Sequence, residues 1–289
     1  MTDPVPVKPD LGRFGVWVRE PMLPEQALEV ERLGYGAVWV GGSPAAGLSF
    51  VEPILAKTST LQVATGVVTT WIAAPEEIAE SFHRIEEAYP GRFLLGIGVG
   101  HPEALAQYRN PIDALNAYLD KLDEYGVPSN RRVIAALGPR VLRLSAERGA
   151  GAHPYLTTPE HSARARALMG PGAFLAPEHK ALPVVDAAQA RDIGRQNLEM
   201  YLGLQNYLNN WKRLGFTEDD LGSPISDRLV DAMIAYGTSD VIATRLSEHL
   251  DAGADHVPIR VLGAPEQLLP TLAAVAGPLG LGHSHVEVL

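Results

Sequence analysis

The sequence predicts a (β/α)8 barrel, an all-parallel sheet jacketed by helices, and three observations carry that expectation. Short runs of Val, Ile, Leu and Phe recur along the chain and stay apolar instead of alternating, as strands buried on both faces do. Between them lie longer segments whose apolar residues return at helical spacing, so strand and helix take turns. The runs end repeatedly on glycine or a small polar residue, which marks a strand opening into a loop. One barrel domain spanning 1–289 is expected, with a helical insert at about 187–236 between the seventh and eighth strands.

Phe14–Val18 is the first strand, and Pro24–Leu33 follows as a helix with Ala27, Val30 and Leu33 on one face and Gly34 or Gly36 as its stop. Ala37–Val40 is the second strand and opens into Gly41-Gly42-Ser43-Pro44. Leu61–Val68, rich in β-branched residues, is the third. It leads through Thr69-Thr70-Trp71 to Pro75, a suitable first residue for a helix showing Ile78, Phe82 and Ile85. Phe93–Ile97 is the fourth strand and runs into Gly98-Val99-Gly100-His101. Asn110 then caps a helix presenting Ile112, Leu115, Leu119 and Leu122.

Val133–Leu137 is the fifth strand, with a helix from Gly138-Pro139 to Arg148. Gly149–Leu156 holds the sixth, and Thr158-Pro159-Glu160 opens the next helix. Phe174–Pro177, extending at most to Leu182, is the seventh. His256–Leu262 is the eighth, preceded by a helix Asp240–Ala252 capped by Ser239 and stopped by Gly253, and Pro265–Val275 is a last helix. Ala187–Tyr236 is too long for an ordinary connection and carries the polar and aromatic run Asn206, Tyr207, Asn209, Asn210 and Trp211.

A chain of 289 residues with 46% hydrophobic content can bury a large core. It has no cysteine, which excludes disulfides, thiolate metal sites and cysteine nucleophiles. A formal charge of −10 argues against nucleic acid and anionic membrane as partners and leaves a small molecule. The opening Met1–Leu11 lacks an apolar signal core, and no apolar run reaches the roughly 18 residues of a spanning helix, so a cytoplasmic protein is expected.

In a barrel of this type the strand ends converge on one mouth, which would gather Gly41, Gly42, Gly66, Val67, Gly98, Val99, Gly100, His101, Gly138, Pro139, Arg140, His153 and Tyr155. The first strand carries no metal ligands, the strands before the seventh end in no carboxylate pair, and no serine stands in a nucleophile elbow. No metal is therefore expected. Glycines, small apolar residues and aromatic rings suit a flat ring lying on backbone instead. Gly138-Pro139-Arg140, a strand end passing straight into a helix N-terminus, suits the phosphate of such a cofactor. Trp71 is placed to wall a substrate pocket, Tyr207 to help close it, and Trp17 and Trp39 read as core filler.

Three segments carry a resemblance: Leu61–Val67, Arg92–His101, and Ala135–Arg140 with the downstream Glu147–His153. In this order and spacing the chain resembles the luciferase-like monooxygenase superfamily of (β/α)8 barrels, and more closely its branch that uses the deazaflavin coenzyme F420. The resemblance implies a cis peptide at Gly66-Val67 backing the ring and Gly98, Val99, Gly100 and His101 along it. It also implies Leu137, Gly138, Pro139 and Arg140 at the phosphate. Hydride transfer between the deazaflavin and a small substrate follows, with FMN as the alternative cofactor and a homodimer as the common assembly. The chain has Gly42-Ser43 where dehydrogenases of the superfamily have Asp-His, which favours reduction of an activated C=C, C=N or carbonyl group. His101, whose ordinary pKa lies near neutrality, becomes the candidate proton donor.

Overall fold

The computed structural model describes residues 8–100 and 110–282. Its centre is a curled sheet in which every recorded strand pairing is parallel. The strands are β1 (Phe14–Val18), β2 (Ala37–Val40), β3 (Gln62–Thr65), β4 (Val68–Thr69), β5 (Phe93–Gly98), β6 (Arg132–Ile134), β7 (Gly151–Ala152), β8 (Phe174–Leu175), β9 (His179–Leu182), β10 (Ile234–Tyr236) and β11 (Val257–Val261). They run in the order β10-β9-β11-β1-β2-β3-β5-β6-β7-β8, with β4 beside β5. The N–H of Asp255 donates to the Leu175 carbonyl (2.8 Å), so the approach to β11 lies against β8 as well as β9 and curls the sheet's two flanks together.

The helices are α1 (Pro24–Arg32), α2 (Val51–Lys57), α3 (Pro75–Ala88), α4 (Pro111–Glu124), α5 (Pro139–Arg148), α6 (Pro159–Met169), α7 (Ala187–Glu199), α8 (Gln205–Arg213), α9 (Asp227–Met233), α10 (Ser239–Asp251) and α11 (Leu268–Ala276). Helices α1, α3, α4, α5 and α6 begin on proline, whose fixed φ suits the first turn and whose missing N–H costs nothing there. The Asn110 side chain accepts the Ile112 N–H as expected. The cap of α10 is Thr238 rather than Ser239, which is already the first helical residue.

Both faces of the strands are buried. In β2, Val38 and Val40 face the helices, whereas Ala37 and Trp39 join Leu94, Val133 and Phe174 in an interior cluster. The interior also holds polar groups. Trp39 Nε1–H donates to His256 Nε2 (3.0 Å), and Gly15 leaves that imidazole its room, since a Cβ there would sit 2.6 Å from Nε2.

Several boundaries differ from the sequence reading, and Val51–Lys57 forms a helix it did not expect. The third strand breaks at Gly66-Val67, which is a cis peptide as the resemblance implies, and resumes as β4. The seventh divides into β8 and β9, because Pro177 lacks the N–H a ladder needs and the two halves serve different neighbours, β7 on one side and β10 with β11 on the other. The stretch 187–236 contains α7, α8 and α9 but ends on a strand, β10, which pairs with β9. Its helices build a separate apolar cluster around Trp211, Leu229 and Val230.

Candidate active site

A cavity of about 600 Å³ opens at the C-terminal ends of the strands, roofed by α8 and the turn Met200–Gly203. Its floor is backbone. Trp17 Nε1–H donates to the Gly66 carbonyl (3.2 Å), and the Thr65 hydroxyl both accepts from Gly96 N–H (2.7 Å) and donates to Gly96 C=O (2.9 Å). These bonds pin the cis peptide to β1 and β5. Gly100 has φ +66°, a conformation glycine adopts freely, and a Cβ there would press on Thr69 Cγ2 at 2.9 Å. Gly98 also reaches the cavity. The room its missing side chain leaves is taken by Val67 and Ala135, with Val67 Cγ2 2.8 Å from where a Cβ would stand.

Gly66, Val67, Gly98, Val99, Gly100, Leu137, Gly138, Tyr155 and Tyr207 of the expected site all reach this cavity. Four others do not, and of these Gly41 is covered by the Trp17 indole, which takes the room a Cβ there would need. Trp71 is turned away from the wall, its indole N–H donating to the Val99 carbonyl (2.6 Å), so it braces the platform from behind. Pro139 and Arg140 are exposed and off the wall, because the first helical residues after Gly138 step around the axis of α5. The arginine beside Gly138 is instead Arg213, at the end of α8, whose Nη2 lies 3.7 Å from where a Gly138 Cβ would stand. No side chain caps α5, which leaves its first amides open to a ligand. His101 lies outside the described residues.

His153 is stacked on Trp39 with ring centroids 4.4 Å apart. Its Nδ1 faces the Ala176 carbonyl (2.7 Å), an acceptor only, so Nδ1 carries the proton and Nε2 offers a lone pair. That Nε2 is buried without a partner among the described residues, and burial holds the imidazole neutral by lowering its pKa to about 4. A Cβ on Gly66 would sit 3.1 Å from it, so the acceptor looks across the glycine of the platform.

Beside the platform Trp17, Tyr155, Tyr201 and Tyr207 form an aromatic wall, with Trp17 and Tyr155 centroids 5.5 Å apart. Ser43 and Thr69 share a hydroxyl hydrogen bond of 2.5 Å at the rim. Behind the wall Lys180 Nζ lies 4.0 Å from the Tyr155 ring centroid and pairs with Glu178 at 3.1 and 3.3 Å, both side chains fully buried. Burial lowers the Lys180 pKa to about 8 against the pull of Glu178. Burial also raises the Tyr155 hydroxyl well above its ordinary value, so it stays protonated and its oxygen accepts from Arg260. Arg260 in turn lies over Trp17, 4.9 Å from the ring centroid. Among the described lining residues the charged side chains are Arg19, Arg213 and Arg260, and none is a carboxylate.

Sequence reasoning missed Trp17, Arg213, Arg260, Glu178 and Lys180. A signal existed for the last three, since charged residues inside the apolar runs 174–182 and 256–262 must be paired or functional. Arg213 gave none.

Residues 21–127 match the model of the luciferase-like monooxygenase family. No curated protein matches the chain. Among solved structures, an F420-dependent secondary alcohol dehydrogenase in complex with an F420-acetone adduct superposes with TM-score 0.72 at 12% identity, covering 92% of this chain and 98% of that one. The coenzyme F420-dependent tetrahydromethanopterin reductase from Methanopyrus kandleri superposes with TM-score 0.64 at 12% identity, with the same 92% and 98% coverage. The oxygenating constituent of 3,6-diketocamphane monooxygenase from Pseudomonas putida, a type II Baeyer–Villiger monooxygenase in complex with FMN, gives 0.65 at 13% identity, again covering 92% and 98%. At these identities the structures share the fold.

Proposed function

We propose that this chain is an F420-dependent oxidoreductase of the luciferase-like type, a (β/α)8 barrel whose insert roofs the mouth. It would move a hydride between the deazaflavin and a small organic substrate with an activated C=C, C=N or carbonyl group. The observation that carries the reading is that one cavity joins a backbone platform, a helix N-terminus without a side-chain cap and beside it a guanidinium without a partner among the described residues, and an aromatic compartment. The residues fit a phosphorylated tricycle. Gly66-Val67 and Gly98-Val99-Gly100 offer backbone to the ring, and the orphaned His153 Nε2 accepts a ring N–H. The α5 amides and Arg213 neutralise the phosphate. When bound, the deazaflavin supplies or takes the hydride. Trp17, Tyr155 and Tyr207 orient the substrate and exclude water, and His101 holds the proton that accompanies the hydride.

FMN is the second reading, because the platform and the anion site serve either ring and the Pseudomonas putida enzyme pairs this fold with FMN. Fluorescence titration with each cofactor, followed by consumption of reduced coenzyme against enones and imines, separates the cases. Binding of FMN alone selects a monooxygenase, binding without turnover selects a cofactor-binding barrel, and binding of neither sinks all three. His101→Gln should lower turnover about a hundredfold while leaving cofactor affinity nearly unchanged, since an amide can hydrogen-bond but not deliver a proton. Equal turnover in the two proteins would remove His101 from the reaction.

Arg213 and Arg140 make opposite predictions. Arg213→Gln should weaken cofactor binding by about 1–3 kcal/mol, the usual range for a hydrogen bond to a charged group, and the loss should shrink as salt rises. Arg140→Ala should leave the dissociation constant unchanged. The reverse pattern in a low-salt titration would return the phosphate to Arg140.

A further inference from the structure

The wall behind the aromatic compartment does not balance its charges. Glu178 supplies one negative charge to Lys180, while Arg260, whose Cα is the cross-strand partner of Lys180 in the β11–β9 register, brings a second positive charge to the same patch. Tyr155 and Tyr201, linked hydroxyl to hydroxyl at 3.2 Å, contribute none, and no carboxylate lines the cavity among the described residues. The guanidinium spends N–H groups on Tyr155 and Tyr201 and lies over the Trp17 ring, which still leaves donors over among the described residues. It also stands apart from the phosphate end. Arg260 belongs to β11 and α5 follows β6, and where the sheet closes with β8 against the approach to β11, β7 and β8 stand between them.

Resting on the oxidoreductase reading, we propose that the substrate is an organic monoanion with a flat apolar body, its carboxylate held by Arg260 and its body by Trp17, Tyr155 and Tyr201. A carboxylate there supplies the charge the wall lacks, and its planar pair of oxygens matches the guanidinium fork. The rings of the wall take the apolar body face or edge on. The cofactor keeps the opposite end through Arg213, so one cavity holds two anions at separate cations.

Calorimetric titration with cinnamate and cinnamamide, alike in body and different in charge, tests the assignment. The parent should bind cinnamate at least about tenfold tighter, with or without saturating F420, and Arg260→Gln should abolish the preference while cinnamamide binds as before. No preference in the parent overturns the proposal. So does a preference that survives Arg260→Gln, which would move the anchor to Arg19, or cinnamate displaced by F420, which would put Arg260 in the cofactor's site. Should Arg260→Gln fail to fold by circular dichroism, Arg260→Lys keeps the charge but loses the fork. Its cinnamate affinity should then fall about tenfold, and an unchanged value overturns the assignment. Cofactor binding without cinnamate preference defeats this inference alone, whereas failure to bind F420 or FMN defeats the oxidoreductase reading alone.

Discussion

Acidified from pH 7 to below pH 5, the protein should unfold well before its carboxylates titrate. His153, His161, His179, His249 and His256 are all buried. Burial lowers the pKa of His153, His161 and His256 to about 4 and that of His249 to about 3, and takes His179 well below its ordinary value. The unfolded chain therefore takes up these protons as the pH falls through about 6.5, while the folded chain refuses them down to about 4 at His153, His161 and His256 and about 3 at His249, with His179 also held well below its ordinary value. Folded pKa values below the unfolded ones mean stability that is present above about 6.5 and lost on the way down. Each histidine contributes a slope of about 1.4 kcal/mol per pH unit, so five approach roughly 7 kcal/mol per unit near pH 5. A typical domain has only about 5–15 kcal/mol to lose. Denaturant midpoints measured from pH 8 to 4.5 should be flat above 7 and fall steeply below 6. A midpoint unchanged down to pH 5 would show that these imidazoles are not held neutral.

The hydrogen bonds explain why the folded state resists those protons. His256 Nδ1 faces the Gly12 carbonyl (2.8 Å), so Nδ1 holds its proton and Nε2 is the acceptor for the Trp39 indole, a role protonation would end. His249 is tied at one nitrogen to Ser162 (2.9 Å) and at the other to His179 (3.0 Å), and two imidazolium rings in that contact would repel.

The fold was readable because its cause is local. Apolar strand runs, helical spacing and proline at the first turn of α1, α3, α4, α5 and α6 are each written in a few consecutive residues. The platform was readable for the same reason, since Gly66-Val67 and Gly98-Val99-Gly100 sit directly at strand ends. What stayed hidden depends on register and on the roof. Arg260 meets Lys180 only because β11 pairs with β9 in one register, and Arg213 meets Gly138 only because α8 folds back over the mouth. Arg140, close in sequence to Gly138, is off the cavity wall because a helix turns each successive residue by about 100°.

Glu178→Gln should cost the largest amount of stability of any single change at the site, about 3–5 kcal/mol at pH 7, the range for breaking a buried ion pair. Glu178 stands just before β9, two residues from Lys180, and the next strand places Arg260 opposite Lys180. Removing the carboxylate leaves two cations on adjoining strands with no counter-charge. Lys180→Met alone should cost less, because Arg260 remains to balance Glu178. Glu178→Gln combined with Lys180→Met should recover most of the loss, since the uncompensated ammonium is gone. The gap between Glu178→Gln and the parent should also depend on pH. Lys180 already gives up its proton at about 8, and losing Glu178 lowers that value further, so the variant escapes its penalty by shedding a proton the parent still holds. The gap is then widest below the variant's lowered value, narrows as the pH rises to about 8, and is constant above it, where both proteins have shed the proton. Urea denaturation of the four proteins at pH 7 and 9 reads each arm. A loss below about 1 kcal/mol for Glu178→Gln, or a double variant as unstable as the sum of the singles, would mean that the pair does not carry the charge balance of the wall.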